Sequence, residues 1–263
     1  MQALRTAANG MAAQQLNVEV ISNNIANMNT IGFKRQRAEF QDLLYQTIER
    51  AGTQSSDQGN IVPTGIQVGA GVKAGSVYRI TAQGSMSQTQ KPLDMAIQGR
   101  GYFQVLLPSG ETAYTRAGNF ATDDQGRLVT EDGYEVQPGI NIPEDASDIQ
   151  VSKSGQVQVI RGDNTGAPEV VGQLELATFV NDAGLDAIGD NLFMETAASG
   201  QAVVGQPNTV GVGSLLQGYT EASNVDSVSE ITALIVAQRA YEMNSKVISA
   251  ADEMLQATSQ LKS

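Results

Sequence analysis

The chain contains no cysteine, no histidine and no tryptophan among its 263 residues. Without cysteine no disulfide can form, so the fold cannot depend on the redox state of its compartment. Without histidine or cysteine, structural zinc sites and most catalytic zinc sites are excluded, and general acid–base catalysis loses its commonest side chain. A serine–histidine–acid triad is excluded for the same reason. These absences argue against an enzyme, and we expect no cofactor and no metal site.

Positive charge is also scarce, since 16 lysines and arginines stand against 28 acidic residues and the net charge is −12. This balance disfavours nucleic acid and anionic lipid, because both are bound through lysine and arginine. The densest basic group, Lys34 with Arg35 and Arg37, is interpreted as a helix cap or a surface patch. No apolar run approaches the roughly 18 residues of a membrane span, and the first residues lack the pattern of a secretory signal. We therefore predict no nucleic-acid partner, no membrane insertion and no cleaved signal peptide.

Apolar residues recur at helical spacing near both ends of the chain. Two rows step by seven residues: Leu4, Met11, Val18 and Ile25 near the start, with Ile21 beside them, and Leu234, Tyr241, Ile248 and Leu255 near the end. This step predicts that the two helices pair as a coiled coil. Because burial of one row does not offset the entropy of ordering about 30 residues, we hypothesise that both ends are mobile in the monomer and order on self-assembly.

The middle of the chain shows β periodicity. Alternating apolar residues such as Val157 and Val159 predict short strands, and turn sequences recur about every ten residues. The predicted turns are Pro108-Ser109-Gly110, Asp124-Gln125-Gly126, Asp132-Gly133, Lys153-Ser154-Gly155, Asp163-Asn164 and Asp182-Ala183-Gly184. No helical pattern alternates with these strands, which disfavours a parallel α/β sheet.

The predicted fold class is therefore α+β, with long N- and C-terminal helices that pair as a coiled coil and enclose a central, antiparallel all-β domain. Residues 1–45 and 216–263 are assigned to the helical domain, 46–70 to an extended segment and 71–215 to the β-rich domain. The helices are expected over about 1–28 and 226–260, the second capped by Ser223 or Asn224. A loop as long as 46–70 in a compact protein is usually functional or disordered.

Glycine-rich and acidic sequences in the middle region are interpreted as turns. Gly69-Ala70-Gly71 and Gly99-Arg100-Gly101 do not complete a nucleotide-binding fingerprint. Asp123-Asp124 and Glu131-Asp132 lie close to glycine in predicted turns, where aspartate is favoured by hydrogen bonds to its own backbone. Neither pair has the spacing of an EF-hand calcium loop.

Three parts of the chain carry a specific sequence pattern. They are Ser22 to Arg35 (SNNIANMNTIGFKR), Pro92 to Phe103 (PLDMAIQGRGYF), and Ala237 to Lys246 (AQRAYEMNSK) followed by Ala251 to Leu255 (ADEML). These segments closely resemble the signatures of the bacterial flagellar rod and hook family at both chain ends and at the start of its β domain. The chain length and the stretch from Gln41 to Gly65 resemble the distal rod members of that family, since hook proteins generally carry larger β insertions.

The resemblance implies a structural subunit that forms a rigid helical tube, encloses an export channel and transmits torque from motor to hook. It implies as partners copies of the same chain, the proximal rod proteins and the hook protein at the rod ends, the P-ring and L-ring as a bushing, and the flagellar type III export apparatus. The implied location is the flagellar basal body, in a distal rod that spans the periplasm to the outer membrane. The terminal rows, with Asn24 and Asn27 at the helix end, become the candidate self-assembly interface.

In the family, the segment that contains Gln54, Ser55, Ser56 and Pro63 is associated with a stiff, straight rod. Another rod component or a short hook-type axial protein would share the terminal signatures, so these alternatives stay open. Deletion of 46–66 discriminates between them, because a distal rod should then become flexible or curved. A β-rich binding module or adhesin would instead be an isolated domain with ordered termini and a ligand groove.

Overall fold

The structure, a computed structural model, describes residues 2–50, 52, 64–161 and 168–260. The described residues form two compact units, one within Met1–Ala26, Gln36–Tyr78 and Asp226–Ser263 and the other within Asn27–Arg35 and Arg79–Val225. Neither of the long helices in the described ranges is apolar enough to cross a membrane.

The first unit contains two long helices and four strands. They are α1 (Gln2–Ala26), β1 (Gln36–Asp42), β2 (Tyr45–Glu49), β3 (Ile66–Gly69), β4 (Val72–Arg79) and α2 (Ser227–Gln260). Strand β1 pairs with β4, and β2 pairs with β3. The Asp226 carboxylate caps α2, because it accepts hydrogen bonds from the Ser229 backbone N–H (3.3 Å) and hydroxyl (2.6 Å). The predicted caps, Ser223 and Asn224, are therefore wrong.

The second unit is built from short strands. They are β5 (Met86–Gln88), β6 (Met95–Gln98), β7 (Tyr102–Leu106), β8 (Thr112–Thr115), β9 (Ala121–Thr122), β10 (Leu128–Val129), β11 (Glu135–Val136), β12 (Ala146–Val151), β13 (Gln156–Arg161), β14 (Glu169–Gln173), β15 (Leu176–Thr178), β16 (Asp186–Gly189), β17 (Leu192–Met194), β18 (Val203–Gly205), β19 (Ser214–Gln217) and β20 (Tyr219–Glu221). Among the described residues of this unit, one 3-10 turn, Asp182–Gly184, lies where a turn was predicted.

Antiparallel pairing joins these strands into one large and several small sheets. The nine-stranded sheet runs β16-β17-β8-β7-β11-β10-β9, and β15 joins β7 to β18. The smaller sheets are β12-β13-β14, β19-β6 and β20-β5. Predicted turns close four of the hairpins, β7-β8, β9-β10, β10-β11 and β12-β13, and each contains a glycine with positive φ: Gly110 (85°), Gly126 (77°), Gly133 (83°) and Gly155 (84°).

The core of the second unit consists of two apolar clusters. The larger one contains Phe103, Leu128, Leu176 and Leu215, which are at most 2% exposed. The smaller one is aromatic and groups Tyr102, Tyr114, Phe179 and Phe193. The rings of Tyr114 and Phe179 meet edge to face with centroids 4.8 Å apart. The second unit thus buries its large side chains internally.

The predicted fold class is wrong in its coiled-coil enclosure. The two helices do pack together, but the residues of α2 that are buried are Glu230, Ala237 and Ala251, not the large row that contains Leu234 and Tyr241. The buried residues of α2 lie four positions before predicted residues of that row, and two of the three are alanines. The helices also do not enclose one β insertion, because strands β1 to β4 group with them in the first unit.

Candidate self-assembly surfaces

Helices α1 and α2 approach each other through small side chains. Ala13 on α1 is 5% exposed, and Ala237 on α2 is 1% exposed. A β-carbon at Gly10 would come within 2.9 Å of the Asn244 side-chain amide nitrogen. Small residues on both helices therefore set a close contact, and the larger apolar residues lie beside it rather than in it.

Asn24 ties three elements of the first unit together. Its amide nitrogen donates to the Gln36 carbonyl (2.8 Å) and to Glu230 Oε2 (3.1 Å), and its amide oxygen accepts from the Gln36 backbone N–H (2.8 Å). Asn24 and Glu230 are each 1% exposed. Because all three hydrogen bonds stay within the first unit, Asn24 is occupied in fixing α1 against β1 and α2 and is not offered to a neighbouring molecule.

The other residues of the predicted interface differ in exposure. Ile21 is buried, the half-buried residues are Leu4, Met11, Val18, Ile25, Asn27, Leu234 and Ile248, and Tyr241 and Leu255 are exposed. Asn27 belongs to the second unit, where its side-chain oxygen accepts a hydrogen bond from the Thr30 hydroxyl (3.1 Å). The structure thus separates residues that the sequence pattern had grouped, and their role in assembly stays a prediction.

A further apolar row of α2 lies beside the row that packs on α1, on the side away from Tyr241 and Leu255. Val236 and Met243 are seven residues apart and are 62% and 61% exposed, and Val247 and Met254 continue the row. Ile231 and Ile235 add exposed apolar surface on the same helix. Apolar side chains thus cover a wide arc of α2, whereas Arg239, Glu242 and Lys246 are exposed on a polar face.

A groove of ≈ 330 Å³ runs along the contact of α1 with α2. It is lined by Gln15, Val18, Glu19, Gln238, Tyr241 and Glu242. Val18 and Tyr241, both in the predicted interface, supply its apolar lining. The groove offers a place for an apolar side chain.

The ribbon of β2 and β3 exposes apolar side chains as well. Tyr45, Ile48 and Ile66 are more than half exposed, and Leu44, just before β2, is 90% exposed. An isolated two-stranded ribbon is at best marginally stable in water. The ribbon flanks the predicted stiffening segment, whose residues Gln54, Ser55, Ser56 and Pro63 lie outside the described residues.

Lys34 is buried, unlike Arg37 of the same basic group, whose side chain is 60% exposed. The Lys34 ammonium is 2.5 Å from Glu221 Oε1, and the Arg116 guanidinium is 2.6 Å from Glu221 Oε2, with all three side chains at most 6% exposed. Arg116 also donates to the carbonyls of Ile97, Gly99 and Gly101. Sequence inspection missed this cluster because its members lie far apart in the chain.

Electrostatics in this cluster favour the ionised carboxylate. Burial alone would raise the pKa of Glu221, but the charge of Arg116 and the hydrogen bond from Lys34 hold that pKa below its ordinary value. Burial lowers the pKa of Lys34, although the hydrogen bond and charge of Glu221 act in the opposite sense. Each charge is thus paired and hydrogen-bonded, which is the condition for burying charge without a large penalty.

Three family descriptions match successive parts of the chain. Residues 4–34 match "Flagella basal body rod protein", 96–159 match "Flagellar hook protein FlgE/F/G D1 domain", and 216–261 match "Flagellar basal body rod FlgEFG protein C-terminal". The first and third ranges take in most of α1 and α2, and the second covers much of the β core.

Full-length relatives share the same description. The chain is 76% identical over 263 residues to a flagellar basal-body rod protein FlgG of Caulobacter vibrioides, covering 100% of both chains. It is 54% identical over 254 residues to that of Agrobacterium fabrum, covering 97% of each, and 49% identical over 252 residues to that of Buchnera aphidicola subsp. Acyrthosiphon pisum, covering 96% of each. The chain therefore belongs to the flagellar rod and hook family, among the basal-body rod proteins FlgG.

Proposed function

We propose that this protein is a structural subunit of the flagellar distal rod and that it polymerises into a rigid helical tube. The main support for this proposal comes from the surface of α2. This helix presents apolar side chains on both sides of the row that packs on α1. Tyr241 and Leu255 lie on one flank, and Val236 and Met243 lie on the other. One neighbouring helix covers only part of such a surface, so further copies of the chain are needed to bury the rest.

Burial on the two flanks supports open-ended assembly. Covering one large apolar side chain contributes about 1.5–3 kcal/mol, so a few such residues on each flank stabilise contacts with two different neighbours. A surface patch that meets a different patch on the next copy generates a helical filament when the rotation does not close into a ring. The exposed ribbon of β2 and β3 supplies a second contact element, and we propose that the segment 46–66 stiffens the rod.

In this proposal the role is mechanical. The tube encloses the export channel and carries torque from the motor to the hook, and many contacts share the load. Proximal rod proteins and the hook protein join it at its ends, and the P-ring and L-ring surround it as a bushing between periplasm and outer membrane. Subunits arrive through the flagellar type III export apparatus without a cleaved signal peptide. No catalytic step, cofactor or metal is part of this role.

Electron microscopy of purified protein at rising concentration tests the proposal. We expect straight tubes from the wild type and none, at the same concentration, from the double variant Val236→Ser/Met243→Ser, because the variant loses one apolar flank. The matched control Val170→Ser/Ile188→Ser removes two exposed apolar residues of the second unit, which are 51% and 44% exposed, and should assemble normally. Wild-type protein that stays monomeric at every concentration would refute the proposal, as would normal tubes from the α2 variant.

The alternative is another rod component or a short hook-type axial protein of the same family. Residues 46–66 contain most of β2 and the first residue of β3, so the exposed ribbon belongs in part to the stretch that resembles distal rod proteins, and this favours the distal rod. We expect tubes assembled from protein lacking 46–66 to be curved or flexible. Straight, stiff tubes from the deletion variant would favour the alternative.

A further inference from the structure

Strand β18 forms an open edge of the nine-stranded sheet. It pairs with β15 in a regular register, in which Val203 lies opposite Thr178 and Val204 opposite Ala177, and it has no second partner among the described strands. Val203 and Val204 are 60% and 45% exposed. Both faces of this short strand therefore present apolar surface beside an unpaired backbone edge.

The other open edges of the two larger sheets carry features that discourage strand pairing. Strand β16 contains Asp186, β12 contains Asp148, and both pair with a register shift. Strand β14 begins at Glu169, and β9 is followed directly by Asp123. Charges and irregular pairing are the usual means by which natural sheets protect an edge.

The edge of β18 has less of this protection, although Glu195 Oε2 accepts a hydrogen bond from the Ala202 backbone N–H (3.3 Å) directly before the strand. From residue 196 to residue 220 the chain contains no Asp, Glu, Lys or Arg, and the pairing of β15 with β18 shows no register shift. Val210 in the same uncharged stretch is fully exposed, and Val180, two residues beyond β15, is 87% exposed. An uncharged, regular and apolar edge is a template for another strand or for an apolar surface.

We propose that the β18 edge docks a second copy of this chain within the polymer. The inference rests on the proposed function. A second copy is the expected partner because of the charge of the chain. Each copy carries a net charge of −12, so two copies repel wherever their acidic surfaces face each other. Because residues 196–220 carry no charge, a like-charged copy that docks along β18 opposes few charges, of which Glu195 beside Ala202 is one, and strips little water from charged groups.

Substitution of single valines tests the surface. Val203→Lys and Val204→Lys place a charge on the edge, and we expect each to raise the concentration needed for tube formation about tenfold, a factor equivalent to about 1.4 kcal/mol. Val170→Lys is the control, because Val170 is a similarly exposed valine on the edge strand β14. Thermal unfolding of dilute monomer shows whether the β18 variants fold normally. If folded β18 variants assemble as readily as Val170→Lys, the inference is overturned.

Spin labels provide a readout that does not depend on the lysine variants. The chain has no cysteine, so Val203→Cys and Val170→Cys each give a single labelling site. We expect the label at 203 to lose mobility on assembly and the label at 170 to keep it. Equal mobility of the two labels in assembled tubes would overturn this inference and leave the proposed function standing. Absence of tubes in the wild type would overturn both.

Discussion

In the second unit, Phe103, Leu176 and Leu215 are at most 1% exposed, whereas the enclosed apolar residues of the first unit are mainly alanines, with Val20 and Ile21. Large apolar residues of the first unit lie instead on the outside of α2 and on the ribbon of β2 and β3. The second unit therefore contains its own hydrophobic core. The first unit exposes much of the apolar surface that a folded domain normally buries, which is the property expected of the part that assembles.

The largest effect is expected in the core of the second unit. Phe103→Ala removes a ring that packs edge to face on Phe120 with centroids 4.9 Å apart, and we expect a loss of about 3–5 kcal/mol of unfolding free energy. The control Leu44→Ala, in the first unit, should change it by less than about 0.5 kcal/mol because Leu44 is 90% exposed. Urea unfolding of dilute monomer measures both. Similar losses in the two variants would contradict the claim that the second unit buries its large apolar side chains while the first unit exposes them.

The buried charges should give the next largest effect. Glu221→Ala leaves Lys34 and Arg116 buried without their carboxylate, and we expect about 3 kcal/mol of destabilisation. The control Glu169→Ala removes a carboxylate that is 55% exposed and 2.9 Å from Arg161, and its effect should stay below about 1 kcal/mol. Urea unfolding separates the two. Equal effects would mean that the buried cluster is not part of the rigid core.

Low pH should also destabilise the protein through Glu221, by less than the Glu221→Ala substitution does. The pKa of Glu221 is lowered in the folded state, so its contribution to stability is present above the unfolded value of 4.5 and is lost as the pH falls through the lower folded value. We expect the unfolding free energy of the wild type to decrease below pH 4.5 more steeply than that of Glu221→Gln. Urea midpoints across this range measure the slopes, and identical slopes would contradict the assignment.

The smallest effect concerns the close contact of the helices. Ala237→Leu adds volume at a position that is 1% exposed, and we expect about 1–2 kcal/mol of destabilisation within the first unit. Ala250→Leu on the exposed side of α2 is the control and should be nearly neutral. Amide exchange in α1 and α2 measures the difference. If both variants behave alike, small side chains do not set the helix contact.

The sequence predicted the elements more accurately than the contacts between them. The bounds of α1 and α2 followed from apolar periodicity, and the turns at Gly110 and Gly155 followed from residues that permit positive φ. The helix contact was misplaced because alanine and glycine, such as Ala237 and Gly10, contribute little to a hydrophobic pattern even where they allow the closest packing.

Contacts between distant residues could not be read from the sequence at all. Lys34, Arg116 and Glu221 are polar residues with no local pattern, and only the tertiary fold brings them together. The same holds for Asn24, whose pairing with Glu230 joins residues 206 positions apart. The exposure of the apolar flank that includes Val236 and Met243 likewise depends on which row of α2 faces α1.

Amide hydrogen exchange of α2 tests most directly whether the first unit depends on neighbouring copies. Residue-resolved exchange should be recorded for dilute monomer and for assembled tubes, with the strands of the second unit as the internal reference. We expect α2 amides to exchange much faster in the monomer than in the tubes, while β7 and β13 are equally protected in both states. Strong and equal protection of α2 in monomer and tubes would contradict the account.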